Sequence, residues 1–283
     1  MKIWKILYIF VLPFLLVAQN SLTLASEAYH NGDFREMETL LKQEAHKGNV
    51  RAQLDLAHMY ENGDILTQSY KNALYWYEKA AKKSTEAIYY VARFYEEGKE
   101  VEKNMIKAIQ WYKEAAYLHY GMAQLYLGDI YYKGIGVKPD NHMAFSWYKS
   151  ALKNGQVEAQ FNLGFMYENG QGVDRNISKA FEYYLKAAKH NHIDAIYNVA
   201  TYYYKGLGVK KDLHQALLWY EQAAKNNDAQ SQYNLGVMYV KGKGVKKNKL
   251  MAFEYWMKAA KQSHIQAQDS LDILCQESPW ACK

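Results

Sequence analysis

Two pairs of residues have types and spacings that could support chemistry. Ser146-x-x-Lys149 matches the spacing of the serine nucleophile in penicillin-recognising enzymes. His190-x-His192 could contribute two imidazoles to a metal site. The serine motif has no accompanying Ser-Asp-Asn or Lys-Thr-Gly sequence, and the histidine pair has no evident third ligand. We therefore expect no catalytic residue, no metal and no cofactor.

Glycine pairs of the form Gly-x-Gly, such as Gly170 and Gly172, resemble phosphate-binding loops in spacing alone. They have no Gly-Lys-Ser/Thr ending and no preceding strand, which a phosphate loop requires. Each pair follows an apolar run at helical spacing, so we interpret the glycines as turns that end helices.

The elements that carry these residues recur along the chain. A tyrosine, a turn glycine and an alanine return together with a spacing of 35 residues once and 36 thereafter. The tyrosines are Tyr60, Tyr95, Tyr131, Tyr167, Tyr203 and Tyr239. The glycines are Gly63, Gly98, Gly134, Gly170, Gly206 and Gly242, and the alanines are Ala73, Ala108, Ala144, Ala180, Ala216 and Ala252. This register predicts stacked helical hairpins, each packing on its neighbours.

The residues in this register resemble a known family. The pattern A-Q-x-x-L-G-x-x-Y-x-x-G-x-G-V followed by A-x-x-W-Y-x-x-A-A is similar to the SEL-one-like repeat, a relative of the tetratricopeptide repeat. The resemblance implies an all-α, right-handed α-solenoid of about six 36-residue helix-turn-helix repeats with degenerate terminal caps. It also implies a bacterial source. Members of the family mostly serve as adaptors, in signalling, in envelope assembly and in bacterium–host contact.

Four segments follow from the register. We expect a signal peptide over residues 1–25, a degenerate capping hairpin over 26–50, six repeats over 51–264 and a capping half-repeat over 265–283. Two inter-helix loops depart from the pattern, because Ile65 and Glu100 stand where the others have their second glycine. We expect these two loops to differ in structure.

The predicted signal peptide has Lys2 and Lys5, an apolar run over residues 6–18 and a cleavage signal at residues 23–25. The alternative is an uncleaved anchor, whereas a lipoprotein is not expected because no cysteine follows the run. We expect a periplasmic or secreted protein without a stable membrane span after cleavage. Its net charge, +6 before cleavage, is too small to indicate nucleic-acid binding.

The two cysteines, Cys275 and Cys282, are most simply a disulfide in an oxidising compartment. We expect Pro279 to end the last helix, so that the bridge and Trp280 cover the exposed end of the core. A redox-active pair is the alternative, but the Cys-x-x-Cys spacing is missing.

A binding surface is the remaining functional feature. In related hairpin repeats the first helices line a concave groove, and we expect its ligand-contacting residues to be Tyr89, Arg93, Phe161, Phe165, Tyr197, Tyr204 and Tyr233. The groove should be acidic near Glu61 and Glu96 and basic near Lys205 and Lys241. The alternative is that the aromatic rings pack between repeats and the charges form a solvated face. A second surface is the lysine-rich turns at Lys210, Lys211, Lys246, Lys247 and Lys249.

These features favour a non-enzymatic protein that binds a protein or peptide in the cell envelope or outside the cell. Two alternatives stay open. Cysteine-rich relatives of the family are linked with β-lactam binding and hydrolysis, although they carry a cysteine pair in nearly every repeat. The aromatic groove could also bind peptidoglycan or another envelope glycan.

Overall fold

The computed structural model describes residues 21–282, which are helical and contain no strand. The predicted leader lies largely outside these residues. Residues 21–30 are helical and are labelled α1 here. The first helices of the hairpins are α3 (Val50–Asn62), α5 (Thr85–Glu97), α7 (Gly121–Lys133), α9 (Glu158–Asn169), α11 (Ile193–Lys205) and α13 (Ala229–Lys241). The second helices are α4 (Tyr70–Ala80), α6 (Met105–Tyr117), α8 (Asn141–Lys153), α10 (Ile177–Lys189), α12 (Leu213–Lys225) and α14 (Lys249–Ala260). Two more helices flank the repeats: α2 (Phe34–His46) and α15 (Ile265–Glu277).

Every second helix starts at a side chain that caps it. The oxygen of Ser69, Asn104, Asp140, Asn176, Asp212 or Asn248 accepts a backbone N–H from the first turn. Such a cap satisfies one of the backbone donors that a helix leaves unpaired at its start. The short polar residue before each second helix therefore fixes where that helix begins.

The first helices end as the repeating glycines predict. Gly63, Gly98, Gly134, Gly170, Gly206 and Gly242 are C-caps with φ between 66° and 76°. This left-handed conformation costs glycine little, because glycine has no Cβ. The interpretation of these glycines as helix-ending turns is confirmed.

The second glycine of each turn allows contact with the preceding hairpin. A Cβ on Gly172 would lie 2.0 Å from the carbonyl oxygen of Asn141, and one on Gly208 would lie 2.6 Å from that of Ile177. Both carbonyls belong to the first turn of the preceding second helix. The expectation that the Glu100 loop differs is wrong in its backbone, since Glu100 adopts the same left-handed conformation with φ of 58°. No such conformation occurs at Ile65.

The described residues form two compact units. The first contains residues 21–130 together with 134–138, and its core includes Met37, Leu56, Tyr77 and Phe94. The buried Ala25 and Ala28 of α1 belong to the same core. The predicted cleavage site at residues 23–25 therefore lies within a packed helix.

The second unit contains residues 131–133 and those from 139 onward. Its core alternates large rings with small residues. A Cβ on Gly164 would lie 2.8 Å from the ring of Tyr184, and one on Gly236 would lie 2.3 Å from Nε1 of Trp256. A ring of the second helix therefore lies directly against each of these glycines, and Gly164→Leu would overpack this contact.

The carboxyl-terminal cap contains the expected bridge. Cys275 in α15 and Cys282 form a disulfide with a Cα–Cα distance of 5.7 Å, and Pro279 begins a 3-10 turn directly after the helix. The expected role of Trp280 is wrong, because this side chain is 61% exposed. The small side chains of Ser278 and Ala281 fill the buried positions instead. Within residues 21–282, no helix is long and apolar enough to cross a membrane.

Candidate functional site

The candidate site is one side of each first helix, called here the first-helix face. Positions are counted from Thr85, the first residue of α5. The face consists of the fifth, sixth, ninth and twelfth positions, together with the residues that correspond to them in the register of the other repeats. These positions lie on adjoining turns of the same helix side, because they are separated by one, three or four residues. All seven residues predicted to contact a ligand lie at the fifth, ninth or twelfth position.

Of the four aromatic residues at the fifth position, Tyr89, Phe161 and Tyr233 contact the next repeat, whereas Tyr197 contacts a ring of its own repeat. The ring of Phe161 stacks on the imidazole of His192 with 4.3 Å between centroids, and Tyr233 stacks on His264 at 4.9 Å. Each histidine is the N-cap of the next first helix. Tyr89 and Tyr197 are likewise half-buried: Tyr89 contacts Tyr112, Tyr120 and Tyr126, and Tyr197 contacts Tyr220. Much of each ring thus serves repeat packing, and ligand contact through the exposed edges stays a prediction.

Arg93 in the first unit is neutralised by its own neighbours. Its guanidinium lies 2.9 Å from the carboxylate of Glu97 and 4.0 Å from that of Glu61, and it covers the ring of Tyr90 at 5.7 Å. Burial opposes the charged form, but the hydrogen bond that Arg93 donates to Glu97 and the nearby carboxylates outweigh it and raise the pKa of Arg93. Lys99 also pairs with Glu97, at 2.5 Å.

The second unit presents the more accessible predicted residues. Phe165 is 38% exposed, with an edge contact to Tyr132 at 6.3 Å. The hydroxyl of Tyr204 accepts a hydrogen bond of 2.8 Å from Nζ of Lys243, which also lies over its ring. The Tyr204–Lys243 pair links the end of α11 to the turn that follows α13.

A set of hydrogen bonds at the twelfth position was not predicted from the sequence. The hydroxyls of Tyr77, Tyr112 and Tyr184 donate to Glu61, Glu96 and Glu168, each over 2.7 Å. Burial, reinforced by the carboxylate acceptor, raises the pKa of all three tyrosines well above 10. Glu61 and Glu96, which were predicted to make one end of the groove acidic, therefore also accept hydrogen bonds from buried phenols, and the acidic character of that end stays a prediction. The constant spacing of 16 residues between the glutamate and the tyrosine could have indicated these hydrogen bonds.

Three asparagines at the sixth position were also missed. Asn162, Asn198 and Asn234 recur with the 36-residue period on α9, α11 and α13, and each is half-exposed. The equivalent positions in the first unit hold Asp55, Tyr90 and Tyr126. The repeat spacing was again a sufficient signal.

The residues considered for chemistry have structural partners. Lys149 lies over the ring of Phe145 at 5.8 Å, and Ser146 is exposed on α8. His192 caps α11 by accepting the backbone N–H of Ala195, whereas His190 is exposed. Among the residues that the structure describes, no group of three His, Cys, Asp or Glu side chains is placed to hold a metal ion.

The lysine-rich turns are mostly open to solvent. Lys210, Lys211, Lys246 and Lys247 are exposed, while Nζ of Lys249 donates to Ser278 Oγ over 2.5 Å. Lys249 therefore ties the last hairpin to the carboxyl-terminal cap, and the other four remain available to an anionic partner.

Comparison with solved structures shows the same fold elsewhere. A protective antigen of uropathogenic Escherichia coli with an SLR fold is 30% identical, with a TM-score of 0.87 over 92% of this chain. This chain spans 57% of the length of that protein. A Sel1 repeat protein of Oxalobacter formigenes is 28% identical, with a TM-score of 0.72 over 85% of this chain and 99% of its own. The cysteine rich protein B of Helicobacter pylori is 29% identical over 46% of this chain and 92% of its own, with a TM-score of 0.36.

No curated protein matches the chain at a significant level. The family model of the Sel1 repeat matches six times, at residues 50–84, 85–120, 121–156, 157–192, 193–228 and 229–264. These matches cover most of the chain and agree with the helical hairpins described above. The chain therefore belongs to the Sel1 repeat family, whose helical solenoid fold it adopts.

Proposed function

We propose that this protein is a non-enzymatic scaffold that binds a protein or peptide partner on its first-helix face, in the cell envelope or outside the cell. Sel1 repeat proteins generally act as scaffolds for protein interactions. The observation that carries the proposal is the apolar surface at the ninth position in the second unit. Phe165 is 38% exposed on α9, and Ile273, at the equivalent position of α15, is 56% exposed. Between them, at the same position, Thr201 on α11 and Val237 on α13 are partly exposed. A row that is mostly apolar and open to solvent favours a binding surface.

The test is affinity capture from an envelope extract with the full chain as bait. The variant combines Phe165→Glu with Ile273→Glu, because both side chains are exposed and can be replaced without opening the core. The matched control combines Ile106→Glu with Leu250→Glu, two exposed apolar residues on second helices. A partner that binds the parent and the control, but not the variant, supports the proposal. Equal capture by the variant contradicts the assignment to this face.

Export to the envelope is part of the proposal. Its support is the charged and apolar amino-terminal sequence together with the Cys275–Cys282 disulfide, since disulfides persist in oxidising compartments. Mass spectrometry of the protein from fractionated cells is expected to show a mature chain, with Ser26 as the predicted first residue. An intact Met1 in the cytoplasmic fraction would contradict export. A mature chain whose first residue precedes residue 21 would support export and would place the cleavage site outside α1.

The absence of catalysis is equally testable. Nitrocefin turnover by the purified chain is expected to equal that of Ser146→Ala, because Lys149 is directed to Phe145. Turnover that is lost in Ser146→Ala would contradict a non-enzymatic role.

A further inference from the structure

The asparagine row of the second unit has hydrogen-bonding capacity that the protein itself does not use. Within the described residues, the side-chain amides of Asn162 and Asn198 make no hydrogen bond, although both are half-buried on first helices. Asn234 accepts only a long bond of 3.4 Å from Gln230, and its amide lies near the hydroxyl of Tyr220. An asparagine amide offers one acceptor and two donors, which complement the N–H and C=O of a peptide unit.

The spacing of the row also fits an extended chain. Phe161 on α9 stacks on His192 at the start of α11, so a ring of one first helix reaches the next. At a separation of about 10 Å, which such a contact allows, an extended chain that advances about 3.3 Å per residue needs about three residues to pass from one helix to the next. One asparagine is therefore available for about every third residue of a peptide that crosses α9, α11 and α13.

The flanks of the row define the chemistry of the partner. Three residues after each asparagine, on the same side of the helix, lie Phe165, Thr201 and Val237, with Ile273 continuing the line on α15. Seven residues after Asn198 and Asn234 lie the exposed Lys205 and Lys241. Neither lysine has a carboxylate within ion-pair distance in the described part of the chain. Residues 139–283 contain 18 lysines and arginines against 13 aspartates and glutamates, so this half of the chain favours an anionic partner.

The first unit offers no comparable surface. Its sixth- and ninth-position side chains are engaged: Asp55 pairs with Arg51 at 3.0 Å, His58 lies 3.6 Å from Glu86, and Arg93 pairs with Glu97. Tyr90 stacks on Tyr77 with 4.8 Å between ring centroids. A ligand there would have to replace existing contacts.

We infer that the second unit binds an extended, acidic and apolar peptide segment of another protein, with Asn162, Asn198 and Asn234 hydrogen-bonding to its main chain. The inference rests on the proposed scaffold function and assigns that function to α9, α11, α13 and α15. Apolar side chains of the peptide lie against Phe165, Val237 and Ile273. Its carboxylates lie towards Lys205 and Lys241.

The experiment begins with selection of dodecapeptides from a random display library on the full chain. A fluorescently labelled synthetic copy of an enriched peptide is then titrated by anisotropy. We expect enriched peptides to carry acidic and apolar residues and to bind more weakly as salt is raised. Replacement of each asparagine by alanine should weaken binding about 3- to 10-fold, and the triple variant at least about 30-fold. The matched control is Asn226→Ala, an exposed asparagine at the end of α12.

A scan of the peptide backbone tests main-chain recognition itself. Each amide of the peptide is replaced in turn by an ester, which removes one N–H without changing a side chain. Losses of affinity should recur about every third residue and disappear against the triple variant. Peptides that bind the triple variant as tightly as the parent would overturn the asparagine assignment and leave the scaffold function intact. Failure to enrich any peptide would overturn this inference too, whereas the scaffold function would then be decided by capture of a folded partner.

Discussion

At the scale of single residues, packing depends on which aromatic ring lies against a glycine, which has no Cβ. Gly236 faces Trp256, whose Nε1 donates to the backbone oxygen of Tyr233 over 3.1 Å. In the hairpin of α11 and α12, Ala200 takes the place of this glycine and Tyr220 the place of the tryptophan. Tyr184 faces Gly164, so a tyrosine occurs opposite either glycine or alanine, whereas Trp256 lies opposite a glycine. The sequence predicts that these positions are small, but the ring that each one faces requires the three-dimensional arrangement.

Gly236→Ala is expected to lower the free energy of unfolding by about 1–3 kcal/mol, because the new methyl group would displace Trp256. The double variant Gly236→Ala with Trp256→Tyr recreates the Ala200–Tyr220 pairing and should recover part of that loss. Urea denaturation followed by circular dichroism measures both. A single variant as stable as the parent, or a double variant less stable than additivity predicts, would contradict this packing account.

Buried tyrosines predict sensitivity to alkali. Burial raises the pKa of Tyr220 to about 12, as it does for Tyr255. A tyrosine of the unfolded chain titrates near pH 10. Below pH 10 the phenols are protonated in both states, so their full contribution to the free energy of unfolding is present. Between about pH 10 and 12 the unfolded chain loses the proton first, and the free energy of unfolding falls as pH rises. Tyr220→Phe should flatten this fall in denaturant titrations, and Tyr75→Phe, at an exposed position, is its control. An equal slope in all three proteins would contradict the prediction.

At the scale of elements, the helices could be predicted because their boundaries are set locally. Ser69, Asn104 and Asp140 cap second helices, and glycines such as Gly170 end first helices, all within a few residues of the boundary that they fix. The Tyr184–Glu168 bond and the approach of Arg93 to Glu61 could not be assigned in this way. They join different helices, so the register indicates their recurrence without showing which side chains meet.

The loop between α5 and α6 has the same turn as the other loops, although Glu100 is unfavourable in its left-handed conformation. The left-handed conformation costs a non-glycine residue about 1–2 kcal/mol, and glycine loses about 0.5–1 kcal/mol in entropy on ordering. Glu100→Gly is therefore expected to raise the free energy of unfolding by about 0.5–1 kcal/mol. Glu102→Gly, in the same loop but outside the left-handed region, should lower it. Thermal unfolding of the two variants distinguishes these effects, and a destabilised Glu100→Gly would contradict the assigned conformation.

The carboxyl-terminal cap depends on its disulfide. Closing so short a loop contributes about 2.5 kcal/mol through the entropy of the open chain. Cys275→Ser with Cys282→Ser should therefore increase hydrogen exchange in the last turns of α15. Amides of α3, at the other end of the repeats, serve as the internal control. Unchanged exchange in α15 would show that the contacts of Ser278 and Ala281 hold the cap without the bridge.

At the scale of the whole molecule, the repeats are alike in fold but differ in their exposed side chains. In the first unit, charged groups on the first-helix face pair with one another, as in Arg93 with Glu97. In the second unit, Asn162, Asn198 and Phe165 face outward without such partners. Sequence analysis predicted the face but included both units in it. Only the contacts of the individual side chains distinguish a face whose side chains already pair within the protein from a face whose side chains can contact a partner.

The most direct test of a binding face in the second unit is site-specific photocrosslinking in cells that produce the chain. A photoreactive amino acid is placed at Thr201 or Val237 on the face, at Tyr90 in the first unit, and at Leu218 on a second helix as the control. The account predicts protein adducts at positions 201 and 237, and their loss when Asn162, Asn198 and Asn234 are all changed to alanine. Adducts confined to positions 90 or 218 would contradict it.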